Sequence, residues 1–542
     1  MKTKFAILAI LASIFASCSD VKDELPSDIN GLTKEIYFEQ EGPIDSIGLV
    51  EHYELLLQKA TEGNGPENEL MLAYAQEQLD AAEDYLDECI IESGANWGDV
   101  GTDGKGGKNR ALGYQYTTIR YKSIDHNGNP AMLSTLVVWP YNNVFSNPDP
   151  DNVIIGCHVT IGSNAERPTN YNKNSIMSDV GMMACCAKSN GIGSDYENLV
   201  IIPDYQGYGA THGEVHPYLS QEITARQVLD GVRAGIAYYT SKAGKLEKNW
   251  RSLSTGYSQG GSVAMAVHKY IEENYLVSEF NFAGSVCGSG PYDPTATLKK
   301  YIQTNEVYMP VAAAMMMYSM CNTNPRLIGK YSPDDFMSEA FINSGVLTLI
   351  EEKTLNTDQM QEKLLEYSVG FNSDDKTALC MYRLTKKDGF QPYRKDTKEK
   401  YDWESGLIRT AYAKTSDILK PEVINYFKDN TLPEDEEKQS AIKALNEALN
   451  DNVLHTDWSP AHPIFLYHTN ADEVVTIDNY NACIKKWTGS DMVKGIRYNG
   501  TTETHVSYGS YFFMMHEGQG IQAIFDGTTH KYGLDQVDNG LL

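Results

Sequence analysis

Residues 256–261 of this chain read Gly-Tyr-Ser-Gln-Gly-Gly, and they constrain its fold more than any other segment. The three residues before them suit a short strand, and residues 262–271 carry apolar side chains at helical spacing. The glycines on both sides of Ser258 allow a sharp turn between the strand and the helix. We therefore predict a strand–turn–helix unit that presents the Ser258 hydroxyl beside the first N–H groups of a helix.

This pattern is weak by itself. The chain contains 44 glycines in 542 residues, so a Gly-x-Ser-x-Gly match arises easily by chance. An ordinary glycine-serine loop is the alternative. The remainder of the sequence therefore has to decide between a structural loop and a reactive serine.

Strand and helix patterns alternate over much of the chain. Residues 114–121 and 131–139 predict two strands, joined by the hairpin signal Asn-Gly-Asn-Pro at 127–130. Continuous apolar runs at 152–157 and 199–203 are typical of strands buried on both faces. Further patterns predict a helix at 223–239 and strands at 464–468 and 493–498. The alternation predicts an α/β fold with a mostly parallel sheet covered by helices on both faces.

Residues 295–456 interrupt this alternation, because their pattern is mostly helical. We interpret them as a helical cap inserted into the α/β core. A charged helix is predicted at 433–449, with acidic residues in its first turn. A methionine cluster near the start of the insertion comprises Met309, Met315, Met316, Met317 and Met320. It suits either the core between helices or an adaptable apolar wall that faces an acyl chain.

The same patterns divide the chain into five segments. They are a signal peptide at 1–17, a lipidated tether with N-terminal helices at 18–110, the first part of the α/β core at 111–294, the helical cap at 295–456, and the second part of the core at 457–542. Within the second segment, apolar residues recur at helical spacing from 52 to 93. The glycine-rich stretch at 98–113 predicts a flexible linker.

The N-terminus predicts export and a lipid anchor. Lysines at positions 2 and 4, an apolar run from 5 to 15, and small residues before Cys18 form a secretory signal too short to remain as a membrane span. Residues 15–18 resemble a bacterial lipobox, so we expect Cys18 to be acylated and to anchor the protein in the outer membrane of a Gram-negative bacterium. Acidic residues at 19–24 favour the cell-surface side. An ordinary cleaved signal with an incidental Cys18 is the alternative.

A serine hydroxyl is a weak nucleophile, so it needs a histidine base, and the histidine needs a carboxylate that holds its tautomer. Asp472 follows the predicted strand at 464–468, at the strand end where ligands of parallel sheets bind. His505 lies seven positions beyond the strand at 493–498, at the same edge. Ser258, Asp472 and His505 are therefore the predicted catalytic residues, in the chain order of such folds. Glu473 and Asp478 are alternative acids, and His516 is an alternative base.

Attack on an ester carbonyl creates an oxyanion, which two main-chain N–H groups can stabilise by about 3 kcal/mol each. The N–H of Gln259, directly after Ser258, is the first candidate donor. The second is expected from the loop after the strand at 152–157, at Thr160 or Val159.

Composition argues against several other functions. The formal net charge of -28 disfavours a nucleic-acid partner. The eight cysteines after Cys18 lack Cys-x-x-Cys spacing, and no disulfide pairing follows from them. His212 and His216 stand four apart, but the surrounding glycines and Pro217 favour a loop over a helix that presents two metal ligands. We predict no metal site and no cofactor.

Taken together, these segments resemble the secretory lipases and related secreted esterases of the α/β-hydrolase superfamily. The matching motifs are His158-x-Thr160, Pro203-Asp204-Tyr205-x-Gly207-x-Gly209, residues 256–261, Pro463-Ile-Phe-Leu-Tyr-His468, and Asp472-Glu473-Val474-Val475 followed by His505. The resemblance spans roughly residues 115–290 and 455–520, and implies a Ser258–Asp472–His505 triad with a cap over an acyl pocket. Two departures are Val159, where glycine is usual in the oxyanion loop, and Thr476, which replaces a usual proline.

The leading hypothesis is a serine-dependent hydrolase of small or polymer-linked carboxylic esters. A serine peptidase is the alternative among enzymes, because the same scaffold serves both reactions. A non-catalytic, glycan-binding surface lipoprotein is the alternative outside enzymes, and the 35 tyrosines fit it. Such proteins are mainly helical, however, and have no reason to carry these three residues in catalytic order. The sequence leaves the natural substrate and the oligomeric state open.

Overall fold

The structure, a computed structural model, describes residues 90–96, 113–141, 148–171, 178–188, 194–367, 381–385, 389–392, 409–499 and 504–538. The predicted signal peptide and Cys18 lie outside these residues. So do most of the predicted N-terminal helices and all but the last residue of the glycine-rich linker.

The strands of the described residues fall into two sheets. They are β1 (Ile90–Asn96), β2 (Gly113–Ile124), β3 (Pro130–Tyr141), β4 (Asn152–Cys157), β5 (Asn198–Pro203), β6 (Ser252–Tyr257), β7 (Phe282–Gly288), β8 (Met381–Thr385), β9 (Gly389–Pro392), β10 (Arg409–Ala413), β11 (Ile464–Thr469), β12 (Val493–Tyr498) and β13 (Gln536–Asp538). The large sheet has the order β1-β2-β3-β5-β4-β6-β7-β11-β12-β13, and the small sheet has the order β10-β8-β9. In the large sheet, the pairs from β1 to β5 are antiparallel and the pairs from β5 to β13 are parallel. This confirms the predicted, mostly parallel sheet.

Helices connect the strands and build the cap. They are α1 (Asp179–Cys185), α2 (Gln221–Tyr238), α3 (Gln259–Glu273), α4 (Val277–Phe280), α5 (Pro294–Thr304), α6 (Pro310–Thr323), α7 (Pro333–Phe336), α8 (Glu339–Ile342), α9 (Val346–Glu352), α10 (Thr357–Tyr367), α11 (Thr415–Ile418), α12 (Pro421–Asp429), α13 (Glu436–Asn450), α14 (Asp478–Lys486), α15 (His505–Tyr511) and α16 (Glu517–Phe525). A π-helical turn, Phe512–His516, joins α15 to α16. No helix among the described residues has the length and apolarity that crossing a membrane would require.

The central strands are buried on both faces, as their continuous apolar runs predict. In β4, Val153 and Ile155 join the apolar cluster that contains residues of α2 and α3. Ile154, between them, points to the opposite face and joins the cluster that contains residues of α1 and α16. Successive side chains of a strand point to opposite faces, so one strand contributes to both cores. Helices therefore cover both faces of the sheet.

The cap has its own apolar core, formed mainly by residues of α5 to α13. Met315, Met317 and Met320 of α6 are buried in this core. The cap also contains the small sheet β10-β8-β9, which the helical pattern did not predict. The charged helix begins at Glu436, later than the predicted position 433, because the Asp435 side chain caps it by accepting the Lys438 N–H.

The N-terminal end of the described chain corrects one expectation. Residues 90–93 were included in a predicted helix, and this was wrong, because they belong to β1. The main chain of β1 pairs antiparallel with β2, with Ile90 opposite Ile119 and Asn96 opposite Tyr114. Pairing with a distant strand has overridden the local helical spacing.

The described cysteines are buried free thiols and form no disulfide with one another. They are Cys157, Cys185, Cys186, Cys287, Cys321 and Cys483. Cys89 and Cys380 lie outside the described residues.

Candidate active site

Ser258 occupies a strained turn between β6 and α3. Its backbone has φ 56° and ψ -124°, a conformation that a residue with a side chain rarely adopts. Neighbouring glycines make the turn possible, because a Cβ atom on Gly256 or Gly260 would collide with the carbonyl oxygen of Cys157. The Ser258 N–H donates to the Gly288 carbonyl at 2.9 Å. The predicted strand–turn–helix unit is confirmed.

The structure brings three predicted site residues into one hydrogen-bonded row. The Oγ of Ser258 lies 2.8 Å from Nε2 of His505, and Nδ1 of His505 lies 2.7 Å from Oδ2 of Asp472. His505 and Asp472 are buried, and Ser258 is partly exposed. In this row the serine hydroxyl can donate to the imidazole, while the Nδ1–H donates to the carboxylate.

The loop after β11 holds Asp472 in place. Its Oδ1 accepts the N–H groups of Val474 and Val475 at 3.1 Å and 2.8 Å, which leaves Oδ2 for His505. A second buried imidazole, His468, lies 3.5 Å from the same Oδ2 and hydrogen-bonds the Val475 carbonyl through Nε2 at 2.9 Å. The carboxylate is thus fixed from three directions before any substrate arrives.

Hydrogen bonds fix both the main-chain N–H and the carbonyl group of His505. Its N–H donates to Oε2 of Glu473 at 3.1 Å, and its carbonyl accepts the Tyr257 hydroxyl at 2.7 Å. Burial lowers the pKa of the His505 imidazole, but the charge and hydrogen bond of Asp472, together with the charge of Glu473, outweigh burial and raise it above its ordinary value. The imidazole is therefore a stronger base than an isolated histidine.

The two loops expected to supply oxyanion donors lie beside Ser258. The Gln259 N–H is the first of helix α3, among those that a helix leaves without an intrahelical acceptor. Of the two candidates for the second donor, the Val159 N–H donates to Oδ2 of Asp179 at 2.9 Å and is therefore engaged elsewhere. Within the described residues the Thr160 N–H donates to no protein group, and Thr160 lines the same cavity as Ser258. The structure thus favours Thr160 over Val159.

His216 contacts the site although sequence reasoning gave it no role. Its Nε2 lies 2.8 Å from Nε2 of Gln259, and its Nδ1 lies 2.8 Å from the Gln206 carbonyl oxygen. Burial lowers the pKa of His216 to about 3, so the ring is neutral, donates through Nδ1 and accepts the Gln259 amide at Nε2. His212 and His216 lie in a loop, as predicted, and His212 is exposed.

An apolar cavity of about 90 Å³ opens beside Ser258. Its walls come mostly from the cap, and they include Leu298, Met309, Met316, Met317 and Leu419. Met317 is buried in the cap core as well as lining this cavity. The cavity places hydrocarbon surface directly next to the serine hydroxyl.

Comparisons with known proteins agree with this geometry. The sequence model of the secretory lipase family matches residues 195–342 and 403–509, which include Ser258, Asp472 and His505. The rice cell wall degrading esterase LipA of Xanthomonas oryzae aligns with a TM-score of 0.54 and 19% identity, over 81% of this chain and 97% of LipA. A Legionella pneumophila protein aligns with a TM-score of 0.56 and 16% identity, over 80% of this chain and 98% of that protein. None of the curated protein sequences matches the chain.

This chain has the α/β-hydrolase fold and resembles the secretory lipases. The solved structures, at this level of identity, show the shared fold. The family match supports carboxylic ester hydrolysis as the class of activity, and it suggests an exported protein.

The predicted alternatives to Asp472 and His505 occupy other positions or make other contacts. His516 hydrogen-bonds the Tyr508 hydroxyl at 2.8 Å and Asp538 at 2.9 Å. Asp478 begins helix α14. Glu473 accepts the main-chain N–H of His505. The structure therefore leaves Asp472 and His505 as the carboxylate and imidazole aligned with the serine.

Proposed function

We propose that this α/β-hydrolase cleaves carboxylic esters through a covalent acyl-enzyme on Ser258. The observation that carries the proposal is the row from Ser258 Oγ through His505 to Asp472, with separations of 2.8 Å and 2.7 Å. A serine held in a strained backbone conformation at the edge of an apolar cavity supports the same conclusion.

In the acylation step, the Ser258 Oγ attacks the ester carbonyl carbon while His505 Nε2 accepts the hydroxyl proton. Asp472 holds the Nδ1–H tautomer and stabilises the imidazolium that forms. The carbonyl oxygen becomes an oxyanion, which we expect the N–H groups of Gln259 and Thr160 to bind. His505 then gives its proton to the leaving alkoxide, and the carbon–oxygen bond breaks.

Deacylation repeats these steps with water as the nucleophile. His505 Nε2 takes one proton from the water as its oxygen attacks the acyl carbon. The tetrahedral intermediate collapses, the proton returns to Ser258 Oγ, and the carboxylic acid leaves. In both steps His505 accepts a proton and then returns it.

We further propose that the acyl group of the substrate lies in the cap cavity. Its lining is predominantly apolar, and none of the described residues that form it carries a charged side chain. Burying a methylene group in such a cavity contributes about 0.8 kcal/mol. This favours esters of aliphatic acids as the substrate class, whether the alcohol is small or part of a polymer.

A fluorophosphonate probe tests the nucleophile. It should label the protein, and Ser258→Ala should lose both labelling and hydrolysis of p-nitrophenyl butyrate, the latter by at least about 10³-fold. Ser440→Ala, an exposed serine on α13, is the matched control and should behave as the parent. Labelling that persists in Ser258→Ala would contradict the proposal, and absence of labelling and turnover in the parent would favour the non-catalytic, glycan-binding alternative.

A panel of peptidyl anilides separates the esterase from the peptidase. We expect cleavage of p-nitrophenyl esters without cleavage of the anilides. Anilide cleavage that depends on Ser258 would show that Ser258 is the nucleophile of a serine peptidase and not of an esterase.

We also propose that the protein is exported and anchored in the outer membrane through an acylated Cys18. The suggestion of export from the family match is consistent with this location. Incorporation of labelled palmitate that disappears in Cys18→Ser would support it. A mature N-terminus other than Cys18 would show that residues 1–17 act as an ordinary cleaved signal.

A further inference from the structure

A compact group of metal-ligating side chains lies at the far end of helix α3 from Ser258. We call His268, Glu272 and His462 the His–Glu–His cluster. The Nε2 of His268 and the Nδ1 of His462 lie 3.0 Å and 2.7 Å from Oε1 of Glu272. One donor atom from each of the three side chains lies within 4.8 Å of the other two. The two shorter separations are those of hydrogen bonds, and an ion between the three donor atoms would replace the shared protons.

The local structure explains why the three side chains converge. His268 and Glu272 stand four positions apart on α3, so they share one face of the helix. His462 lies in the loop immediately before β11, the strand that leads to Asp472. The two halves of the cluster are therefore separated in sequence by the whole cap and adjacent in space.

The donor set suits a divalent transition metal. Two imidazoles and one carboxylate are a common protein ligand set for Zn²⁺ when a fourth position is open to water. The side chain of His462 is 29% exposed, which gives an ion a route from solvent, while the His268 side chain is fully buried. The cluster is thus accessible on one side and rigid on the other.

Neighbouring groups orient the three side chains as they do around bound metals. Ser285 Oγ lies 2.9 Å from Nδ1 of His268, so the Nδ1–H can donate to it and leave the Nε2 lone pair directed at the cluster. The Trp458 Nε1–H and the Ala461 N–H donate to Glu272 at 2.9 Å and 3.0 Å. Such second contacts, to the other ring nitrogen and to the ligating carboxylate, typically fix metal ligands in place.

No basic side chain competes for the Glu272 carboxylate. Its side chain is 8% exposed, and its Oε1 also accepts the main-chain N–H of His462 at 2.9 Å. In the part of the chain that the structure describes, its ion-pair partners within 4.0 Å are the two imidazoles, without a lysine or arginine.

We propose that the His–Glu–His cluster binds one divalent transition-metal ion, with Zn²⁺ best matched to its ligands. The ion links α3, which precedes the cap in sequence, to the loop before β11, which follows the cap in sequence. His268 lies ten residues along α3 from Ser258, about 15 Å at the rise of an α-helix. The site is therefore separate from the proposed catalytic residues, and it does not depend on the proposed function.

Zn²⁺ uptake by the whole chain tests this proposal. After removal of metals with dipicolinate, the protein should bind one equivalent of Zn²⁺ by calorimetry, and its Tm should rise by about 2 °C or more. Co²⁺ should bind at the same site and give visible absorption bands typical of nitrogen and oxygen ligation. His462→Ala and Glu272→Gln should lose the uptake and the Tm shift, whereas His530→Ala, an exposed histidine outside the cluster, should retain both.

Two outcomes would overturn the proposal. One is the absence of saturable Zn²⁺ binding in the parent. The other is equal uptake by the parent and His462→Ala, with Tm values that Zn²⁺ leaves unchanged. Either result would show that the three side chains form a hydrogen-bonded network that binds no metal ion. Ester hydrolysis by His462→Ala provides an independent check on folding, because His462 touches none of the proposed catalytic residues.

Discussion

Glu473 accepts a hydrogen bond from the main-chain N–H of His505, with 3.1 Å between its Oε2 and the nitrogen, while the adjacent Asp472 binds the ring of the same histidine. Two neighbouring carboxylates on one loop therefore divide two tasks. Asp472 sets the tautomer of the imidazole, and Glu473 fixes the position of the backbone that carries it. The charge of Glu473 also contributes to the raised pKa of His505.

Replacing Glu473 by glutamine should shift the pH dependence of the enzyme. His505 must be neutral to accept the serine proton, so activity rises with pH through its pKa, which lies above the ordinary value of about 6.5. Glu473→Gln removes a negative charge, so the imidazolium is less favoured and the pKa falls. We expect the acid limb of the kcat/KM profile to move to lower pH, with little change in its maximum.

Asp472→Asn should behave differently, because it removes the acceptor of the Nδ1–H. We expect kcat/KM to fall by about 10³- to 10⁴-fold across the pH range. Measuring kcat/KM of both variants from pH 5 to 9 separates the two roles. If Glu473→Gln lost activity while Asp472→Asn retained it, Glu473 and not Asp472 would be the acid that orients the imidazole.

The elements nearest Ser258 were predictable because their signals are local. Glycines at 256 and 260 indicated a turn, and the structure shows that side chains there would collide with Cys157. The positions of Asp472 and His505 followed from the rule that parallel strands end at one edge of the sheet. Their alignment with the serine is thus a consequence of strand order.

Contacts between distant segments were not predictable from one sequence. His216 and Gln259 lie 43 positions apart, and His462 and Glu272 lie 190 apart, so no periodicity connects them. The Val159 position illustrates the same limit. The sequence marked it as a departure from glycine, but its N–H is engaged by Asp179, which lies on a helix 20 residues later. That tertiary contact therefore determines which main-chain N–H group is available to bind an oxyanion.

His216→Ala should reduce kcat more than it changes KM. The neutral ring holds the Gln259 side chain, and the main-chain N–H of Gln259 is a proposed oxyanion donor, so its loss should loosen a group used mainly in the transition state. We expect about a tenfold loss of kcat with p-nitrophenyl butyrate. His212→Ala, four residues earlier and exposed, is the matched control. Equal kinetics for the two variants would assign His216 a purely structural role.

Ala313→Phe should shorten the acyl chains that the enzyme accepts. Ala313 lines the cavity beside Ser258, and a phenyl ring there would displace two or three methylene groups of a bound chain. At about 0.8 kcal/mol for each group, kcat/KM for p-nitrophenyl decanoate should fall by about 30-fold, with that for the acetate nearly unchanged. Ala444→Phe, on α13 of the cap and outside the cavity lining, should leave the ratio as in the parent. Parallel losses with both esters would place the acyl chain elsewhere.

The buried carboxyl of Glu517 makes protein stability depend on pH. Its side chain is fully buried, and its Oε1 accepts the Thr255 hydroxyl at 2.8 Å. Burial raises the pKa of Glu517 to about 8, and the Thr255 hydrogen bond offsets only part of this effect. In the unfolded chain the same carboxyl ionises near pH 4.3. Between these two values the native state retains a proton that the unfolded state has released.

Glu517→Gln should therefore stabilise the protein at neutral and alkaline pH. In the parent, the free energy of unfolding falls by up to about 1.4 kcal/mol per pH unit as pH rises from about 4.3 to 8, because only the native carboxyl is still protonated. Glutamine cannot ionise and still accepts the Thr255 hydrogen bond, so this slope disappears. Urea unfolding at pH 5, 6.5 and 8 should show an advantage of Glu517→Gln that grows with pH, while the exposed control Glu434→Gln shows none. An advantage that is independent of pH would mean that Glu517 is ionised in the folded protein.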